Sequence, residues 1–261
     1  MKVTVLAENT TCRDDLQCEH GLSLYIETES LRILFDAGQT DAFACNAEKM
    51  GIDLQKTDFA VLSHGHYDHS GGLQAFLTQN STAPVYIRSD AFIPHHNAEG
   101  KYIGIAPALP RQRLHFTEDH LQITENIHLY SCNDRTRPFS ADNFGLTVLE
   151  NNQLVPDRFL HEQYLLIEEN GKTVCFSGCS HKGVLNIASW FQPDILIGGF
   201  HFMKLDPAAD APFLNSAAET LLQGNTVYYT GHCTGDAPYA FLKNRMGDRL
   251  HALSTGTILE F

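Results

Sequence analysis

Ser63-His64-Gly65-His66-Tyr67-Asp68-His69-Ser70-Gly71-Gly72 places three imidazoles and one carboxylate within six residues. The stretch follows Phe59-Ala60-Val61-Leu62, an apolar run that reads as a buried strand. His64 and His66 are two residues apart, so at a strand end they point the same way. Asp68 and His69 then turn back toward a second position. Imidazole and carboxylate are ligands that suit zinc, with iron or manganese as alternatives. A lone histidine is usually a packing or surface residue, but three with an aspartate in this order read as a metal site.

Composition frames the rest. At 261 residues and 43% hydrophobic content, the chain is long enough to bury a sizeable core. A formal charge of −13 argues against general binding to nucleic acid or to an anionic membrane, because no basic stripe is present to neutralise phosphates. Met1-Lys2 leads straight into a strand-like run, and no apolar stretch approaches the length of a membrane span, so the expectation is a soluble, cytoplasmic protein. Seven cysteines (12, 18, 45, 132, 175, 179 and 233) lack paired spacing and fit neither a zinc ribbon nor a secreted disulfide framework. Most read as buried thiols.

Strand-like runs fall at 3–6, 22–27, 32–36, 59–62, 85–87, 127–130, 164–168, 173–177, 195–197, 227–230 and 257–260. Asn170-Gly171 is a hairpin turn by its dipeptide. Helical patterns cover 41–50, 73–78, 184–190, 216–222 and 238–245. Periodicity alone therefore gives a mixed α/β chain, read as one domain over 1–261. The segment 84–143 differs in texture. It carries Pro94, Pro107, Pro110 and Pro138, a His95-His96 pair and Arg88, Lys101, Arg111, Arg113, Arg135 and Arg137. It reads as a lid-like insertion whose Arg88, Lys101 and Arg111 face an anionic substrate; an ordinary surface excursion is the alternative.

Further blocks extend the first one: Phe35-Asp36-Ala37-Gly38, Glu19-His20-Gly21-Leu22-Ser23, Asn46-Ala47, Ser177-Gly178-Cys179-Ser180-His181, Gly198-Gly199-Phe200-His201 and Thr230-Gly231-His232-Cys233. With the His-x-His-x-Asp-His signature they make the chain resemble the metallo-β-lactamase superfamily. Within it, the blocks resemble the metal-dependent hydrolases similar to 4-(β-D-ribofuranosyl)aminobenzene 5'-phosphate synthase, in its 7,8-dihydropterin-6-yl-methyl form. The resemblance implies an αββα four-layer sandwich. It also implies a metal-dependent hydrolase that uses a metal-bound hydroxide on a small phosphorylated or carboxylated molecule. Phosphoribosyl transfer or condensation is an alternative, as is a metal-binding module without turnover. One or two zinc ions are implied, with iron or manganese possible.

The ligand set is read motif by motif: His64, His66, Asp68, His69, Cys179, His181 and His232. His232 sits at the end of a strand-like run, where metal ligands of such sandwiches gather. Cys179 stands where most dinuclear relatives carry a bridging aspartate, and a thiolate is a poor bridge for hard ions; a structural thiol is the alternative. The third ligand of the first metal is His181 or His161, with Glu162 competing at the latter position. Asp68 is the catalytic group that orients or deprotonates water. His201, behind a glycine pair, meets the substrate and polarises the leaving group. Asp36 orients a metal-bound imidazole, as ligating histidines require on their other nitrogen; His20 does similar work or is structural. Gly71-Gly72 open a helix whose N-terminus favours anions. A serine triad is excluded by the absence of Gly-x-Ser-x-Gly.

Overall fold

The computed structural model describes all residues, 1–261. Period-two burial builds its strands. In β1 (Lys2–Ala7), Val3 and Val5 face one side while Leu6 and Ala7 pack on the other; β2 (Ser23–Glu27) splits Leu24 and Ile26 from Tyr25. β3 (Arg32–Phe35) does the same with Ile33 and Phe35 against Leu34. β4 (Phe59–Val61), β5 (Val85–Arg88), β6 (His95–His96), β7 (Leu114–Thr117), β8 (His120–Thr124) and β9 (Ile127–Tyr130) follow. Then come β10 (Thr147–Glu150), β11 (Gln153–Pro156), β12 (Tyr164–Glu169), β13 (Lys172–Gly178), β14 (Ile195–Gly198), β15 (Val227–Thr230), β16 (Leu250–Ala252) and β17 (Ile258–Glu260).

One seven-stranded sheet has the order β17-β1-β2-β3-β4-β5-β7, and the other β16-β15-β14-β13-β12-β9-β8. Their facing sides share one core, in which Val5, Ile26, Phe35 and Val61 meet Leu165, Val174, Phe176 and Ile197. The outer face of the first sheet packs on α1 (Ala42–Lys49) and α3 (Leu73–Gln79), and α2 (Tyr67–Ser70) lies just before α3. The outer face of the second packs on α4 (Val184–Phe191), α5 (Ala211–Leu222) and α6 (Asp236–Met246). The result is the expected four-layer αββα sandwich. No helix is long and apolar enough to cross a membrane.

The hairpin turn is where the dipeptide puts it. Glu169 pairs with Lys172, and both Asn170 and Gly171 have positive φ, the requirement of a type I′ turn. Gly71 and Gly72 do a different job from the one expected. Side chains there would collide with the carbonyl oxygens of Gln39 and Ala37, so these glycines permit close packing of the metal-motif turn. The helix they precede spans only seven residues.

The segment 84–143 is interleaved with the core: β5 and β7 belong to the first sheet, β8 and β9 to the second. Only the pieces between these strands run outside the sandwich. β10, β11 and β6 form a separate three-stranded sheet. Its strands were not expected, since β6 is two residues long and β11 is mostly exposed, leaving no alternation to read.

Candidate metal centre

Parallel pairing sets the site. β3 runs parallel to β4, and β13, β14 and β15 run parallel to one another. Side chains that follow the carboxyl ends of these strands gather at one edge of the sandwich. β3 delivers Asp36, β4 delivers Ser63 and His64, β13 Cys179, β14 His201 and β15 His232. The chain turns sharply there: Asp36, Ser180, His201 and His232 hold φ of 59°, 59°, 57° and 47°. Left-handed backbone at non-glycine residues costs about 1–3 kcal/mol each, and such strain clusters at functional sites.

Four acceptor atoms converge around His69. Its Nε2 lies 3.2 Å from His232 Nε2 and 3.1 Å from Cys179 Sγ. Asp68 Oδ2 is 3.1 Å from His232 Nε2 and 3.8 Å from His69 Nε2. The other nitrogens decide the protons. His69 Nδ1 donates to Asp36 Oδ2 at 2.7 Å, and His232 Nδ1 donates to Asn9 Oδ1 at 2.9 Å. With the Nδ1 positions protonated, both Nε2 atoms of the neutral rings present lone pairs to each other. A bridging cation, whether a proton or a metal ion, relieves such a contact, and Asp68 and Cys179 beside the two rings complete a donor set of the kind that holds zinc. Tetrahedral zinc with arms of 2.0–2.1 Å to nitrogen spaces its ligands about 3.3 Å apart, close to what is seen. Burial works against a charge on His69, yet Asp36 and Asp68 outweigh it and raise its pKa. The same field attracts a metal ion. Asp68 is likewise held well below the usual carboxylate range: burial opposes this, but His69, His20 and His232 prevail.

A second group adjoins the first. His64 Nε2 lies 3.2 Å from His181 Nε2, and His64, His181 and Cys179 bring ligand atoms within 4.8 Å of one another. Ser63 Oγ donates to Asp36 Oδ2 at 2.7 Å and so receives the His64 Nδ1 proton at 2.8 Å, freeing His64 Nε2 as a lone pair. Asp36 thus supports both His69 and, through Ser63, His64. Burial, with neighbouring imidazoles, keeps His64 and His181 well below the ordinary histidine value, which leaves them neutral and able to ligate.

His161 falls elsewhere. Its Nδ1 accepts the Gly65 backbone N–H at 2.9 Å, so its proton sits on Nε2, which faces Asp157 Oδ2 at 3.3 Å. His95 Nδ1 reaches the same carboxylate oxygen at 2.9 Å. Burial and His95 push His161 down to about 4. Glu162 is also engaged, with its oxygens accepting the N–H of His181 and Lys182 and the Tyr164 hydroxyl. It shapes the turn that carries His181. His66 stands between the groups. Its ring centroid is 4.6 Å from His64 and 4.8 Å from His181, while its Nε2 is buried without a partner and it clusters with His95, Asp157 and His161.

His20 Nε2 lies 3.4 Å from Asp68 Oδ2, at the exposed side of the site. His201 packs 4.2 Å from His181, ring centre to ring centre, and both of its nitrogens are buried. Sequence reading passed over Glu8, Asn9, His95 and Asp157. Glu8 accepts the His232 backbone N–H and Asn9 its ring proton. A carboxylate and an amide directly after the apolar β1 were the available signal. Of the basic residues expected to face substrate, Arg88 bonds to the Thr117 carbonyl and Asp90, and Arg111 lies over the Phe92 ring. A cavity of about 350 Å³ opens beside His181, and its wall holds no lysine or arginine.

Comparison with known proteins bears on the family and the fold. The model of the metallo-β-lactamase superfamily matches residues 16–202. A 7,8-dihydropterin-6-methyl-4-(β-D-ribofuranosyl)-aminobenzene-5'-phosphate synthase from Methanocaldococcus jannaschii is 28% identical, covering 100% of this chain and 97% of its own. An uncharacterised protein of the same organism is 27% identical over 89% of this chain and 90% of its own. A crystal structure described as a metal-dependent hydrolase of the β-lactamase superfamily superposes with a TM-score of 0.85 at 26% identity, covering 100% and 99% of the two chains.

Proposed function

The chain belongs to the metallo-β-lactamase superfamily, and we propose that it is a metal-dependent hydrolase of a small phosphorylated or carboxylated molecule. One observation carries the reading: His69 Nε2 and His232 Nε2 face each other at 3.2 Å with their Nδ1 protons committed elsewhere, beside Asp68 and Cys179. His69, His232, Asp68 and Cys179 would hold one ion, and His64 and His181, with Cys179 between the two groups and His66 alongside, a second. Imidazoles with one thiolate suit zinc, and iron or manganese fit the nitrogen and oxygen donors. When bound, such an ion lowers the pKa of water from 15.7 to about 7 and polarises a carbonyl or phosphoryl oxygen.

The chain's own groups do the rest. Asp68, kept ionised, aligns the attacking water and takes its proton. His20 steadies Asp68 from the open side. His201, beside His181 in the wall of the cavity, would give a proton to the leaving group. Ser63 and Asp36 hold His64 and His69 in the tautomers that present Nε2. The cavity wall supplies no cation, so neutralising an anionic end of the substrate would fall to the ions that these residues would hold. All seven cysteines are free, which supports a reducing, cytoplasmic setting.

The full-length match to a synthase supports a second reading, group transfer from a phosphoribosyl donor by the same residues. Metal-reconstituted protein screened against phosphodiesters, lactones and thioesters in ¹⁸O-water separates the two. Hydrolysis puts the label into product. Turnover only with an added acceptor, and without label, would establish transfer and overturn the hydrolase.

A further inference from the structure

Cys233 is unused by the metal group, yet its sulfur is built against it. Cys179 follows β13 and Cys233 follows β15, with β14 running between them. A side chain from the middle strand would ordinarily hold the two sulfurs apart, but β14 runs out in Gly198-Gly199. A side chain at Gly199 would collide with Cys233 Sγ, so the thiol fills the room that the glycine leaves. From there Cys233 Sγ donates to the Cys179 carbonyl oxygen at 3.4 Å. The two thiols are hydrogen-bonding neighbours as well. On its other side, Cys179 Sγ lies 3.1 Å from His69 Nε2.

One sulfur thus has two partners within reach, the ion that His69 and His232 would share and a second thiol. It cannot serve both. A thiolate ligates through its charge and lone pairs, whereas a disulfide sulfur has no charge to give a metal. The other cysteines face no such choice. Cys132 and Cys175 are buried in the apolar core under α4 and α5, Cys12 and Cys18 are exposed and Cys45 is half-buried; none of the five belongs to a group of metal-ligand atoms. Cys179 and Cys233 are each 3% exposed. The group that holds Cys179 opens at His20, whose side chain is 40% exposed where it meets Asp68 and packs on His232.

We propose that Cys179 and Cys233 form a reversible disulfide when a small hydroperoxide enters at this opening, and that the bond withdraws Cys179 from the metal group. Hydrogen peroxide passes one oxygen to either sulfur, giving a sulfenic acid and water. The neighbouring thiol attacks that sulfur, the S–O bond breaks, and a second water leaves. Two thiols are oxidised to one disulfide, and the peroxide is reduced to two waters. The loss of metal rests on the metal reading above; the pairing of the sulfurs does not.

Peptide mapping by mass spectrometry after hydrogen peroxide treatment of the intact chain tests it. The chain is used both free of metal, after chelation checked by circular dichroism, and reconstituted with zinc. In the metal-free chain a cross-linked peptide joins Cys179 to Cys233, and dithiothreitol removes it. Zinc at about ten times its dissociation constant slows the cross-link about tenfold, by mass action on the reduced form. Excess peroxide releases about one zinc per chain, which returns after dithiothreitol. Reduced Cys233→Ser protein binds as much zinc as the wild type, but the cross-link and the reversible release both vanish. Absence of the 179–233 cross-link from the metal-free chain, a cross-link that forms as fast with zinc bound, or reversible release that persists in Cys233→Ser would each overturn the proposal. Cross-linking in a chain that elemental analysis shows to bind no zinc would refute the metal reading and leave the thiol pair standing.

Discussion

Two groups of buried imidazoles lie side by side in this protein, and they differ in where their protons can go. Around His69 and His232, both Nδ1 atoms donate to fixed acceptors, so both Nε2 lone pairs point at one place. Around Asp157, one carboxylate collects protons from His95 and His161, and His161 Nδ1 is filled by the Gly65 N–H. The residue types are the same: histidines with an aspartate, all buried. In the first group the lone pairs face one another; in the second the Asp157 carboxylate faces His95 Nδ1 and His161 Nε2, while the Nε2 atoms of His66 and His95 stay buried without partners. Hydrogen-bond direction, more than the presence of ligand types, separates a metal site from a structural network.

The contrast can be broken most directly at its strongest point. His232→Ala removes one of the facing lone pairs, so the variant should lose about one ion per chain and fall to the turnover of metal-free protein. Full metal content in elemental analysis would end the assignment. Asp68→Asn comes next. It keeps the shape and removes the charge, and kcat should drop by at least about a hundredfold, in the 10²–10⁴ range of general-base effects. Near-normal rates with metal retained would leave Asp68 a structural role. Asp36→Asn should weaken metal affinity about 10–100-fold, the usual effect of losing a carboxylate behind a ligating histidine. Competition with a fluorescent chelator measures it.

A paired test sharpens the comparison. His181→Ala should lower metal content, whereas His161→Gln should leave it unchanged and shift thermal stability only. The opposite pattern would exchange their roles. The smallest effect concerns pH. His161 is pushed down to about 4 in the fold from an unfolded value near 6.5. Its contribution is complete above about 6.5 and declines as pH falls toward 4, because the unfolded chain binds the proton first. Melting curves of chelated wild-type and His161→Gln protein at pH 7.5 and 5 should show the larger acid loss in wild type.

Much of the sandwich was legible in the chain. β1, β2, β3, β13 and β14 read as nearly continuous apolar runs because both of their faces are buried, and α4 and α5 carry helical patterns because each packs one face on the core. The helix reading at 216–222 missed the first turn, where α5 begins at Ala211 with a proline in its first turn, a position that proline tolerates. β6, β10 and β11 were missed since a short, half-exposed sheet leaves little periodic signal. The segment 84–143 misled for a related reason: its prolines and arginines advertise surface, while the four strands it gives to the two large sheets are only four or five residues long.

By itself the sequence determined the metal motif and a mixed α/β chain, because ligand spacing and strand periodicity are local and survive without knowledge of the partners; the four-layer sandwich came only from the resemblance that the motif blocks carry. It named His64, His66, Asp68, His69 and His232 as one constellation for the same reason. The tertiary structure decided what depends on contacts between distant segments. Glu8 and Asn9 reach His232 across more than two hundred residues, and Asp157 draws His161 away from the place that His181 takes beside His64. A proton's position on an imidazole is set by whichever group folds against its other nitrogen, and no spacing along the chain records that neighbour.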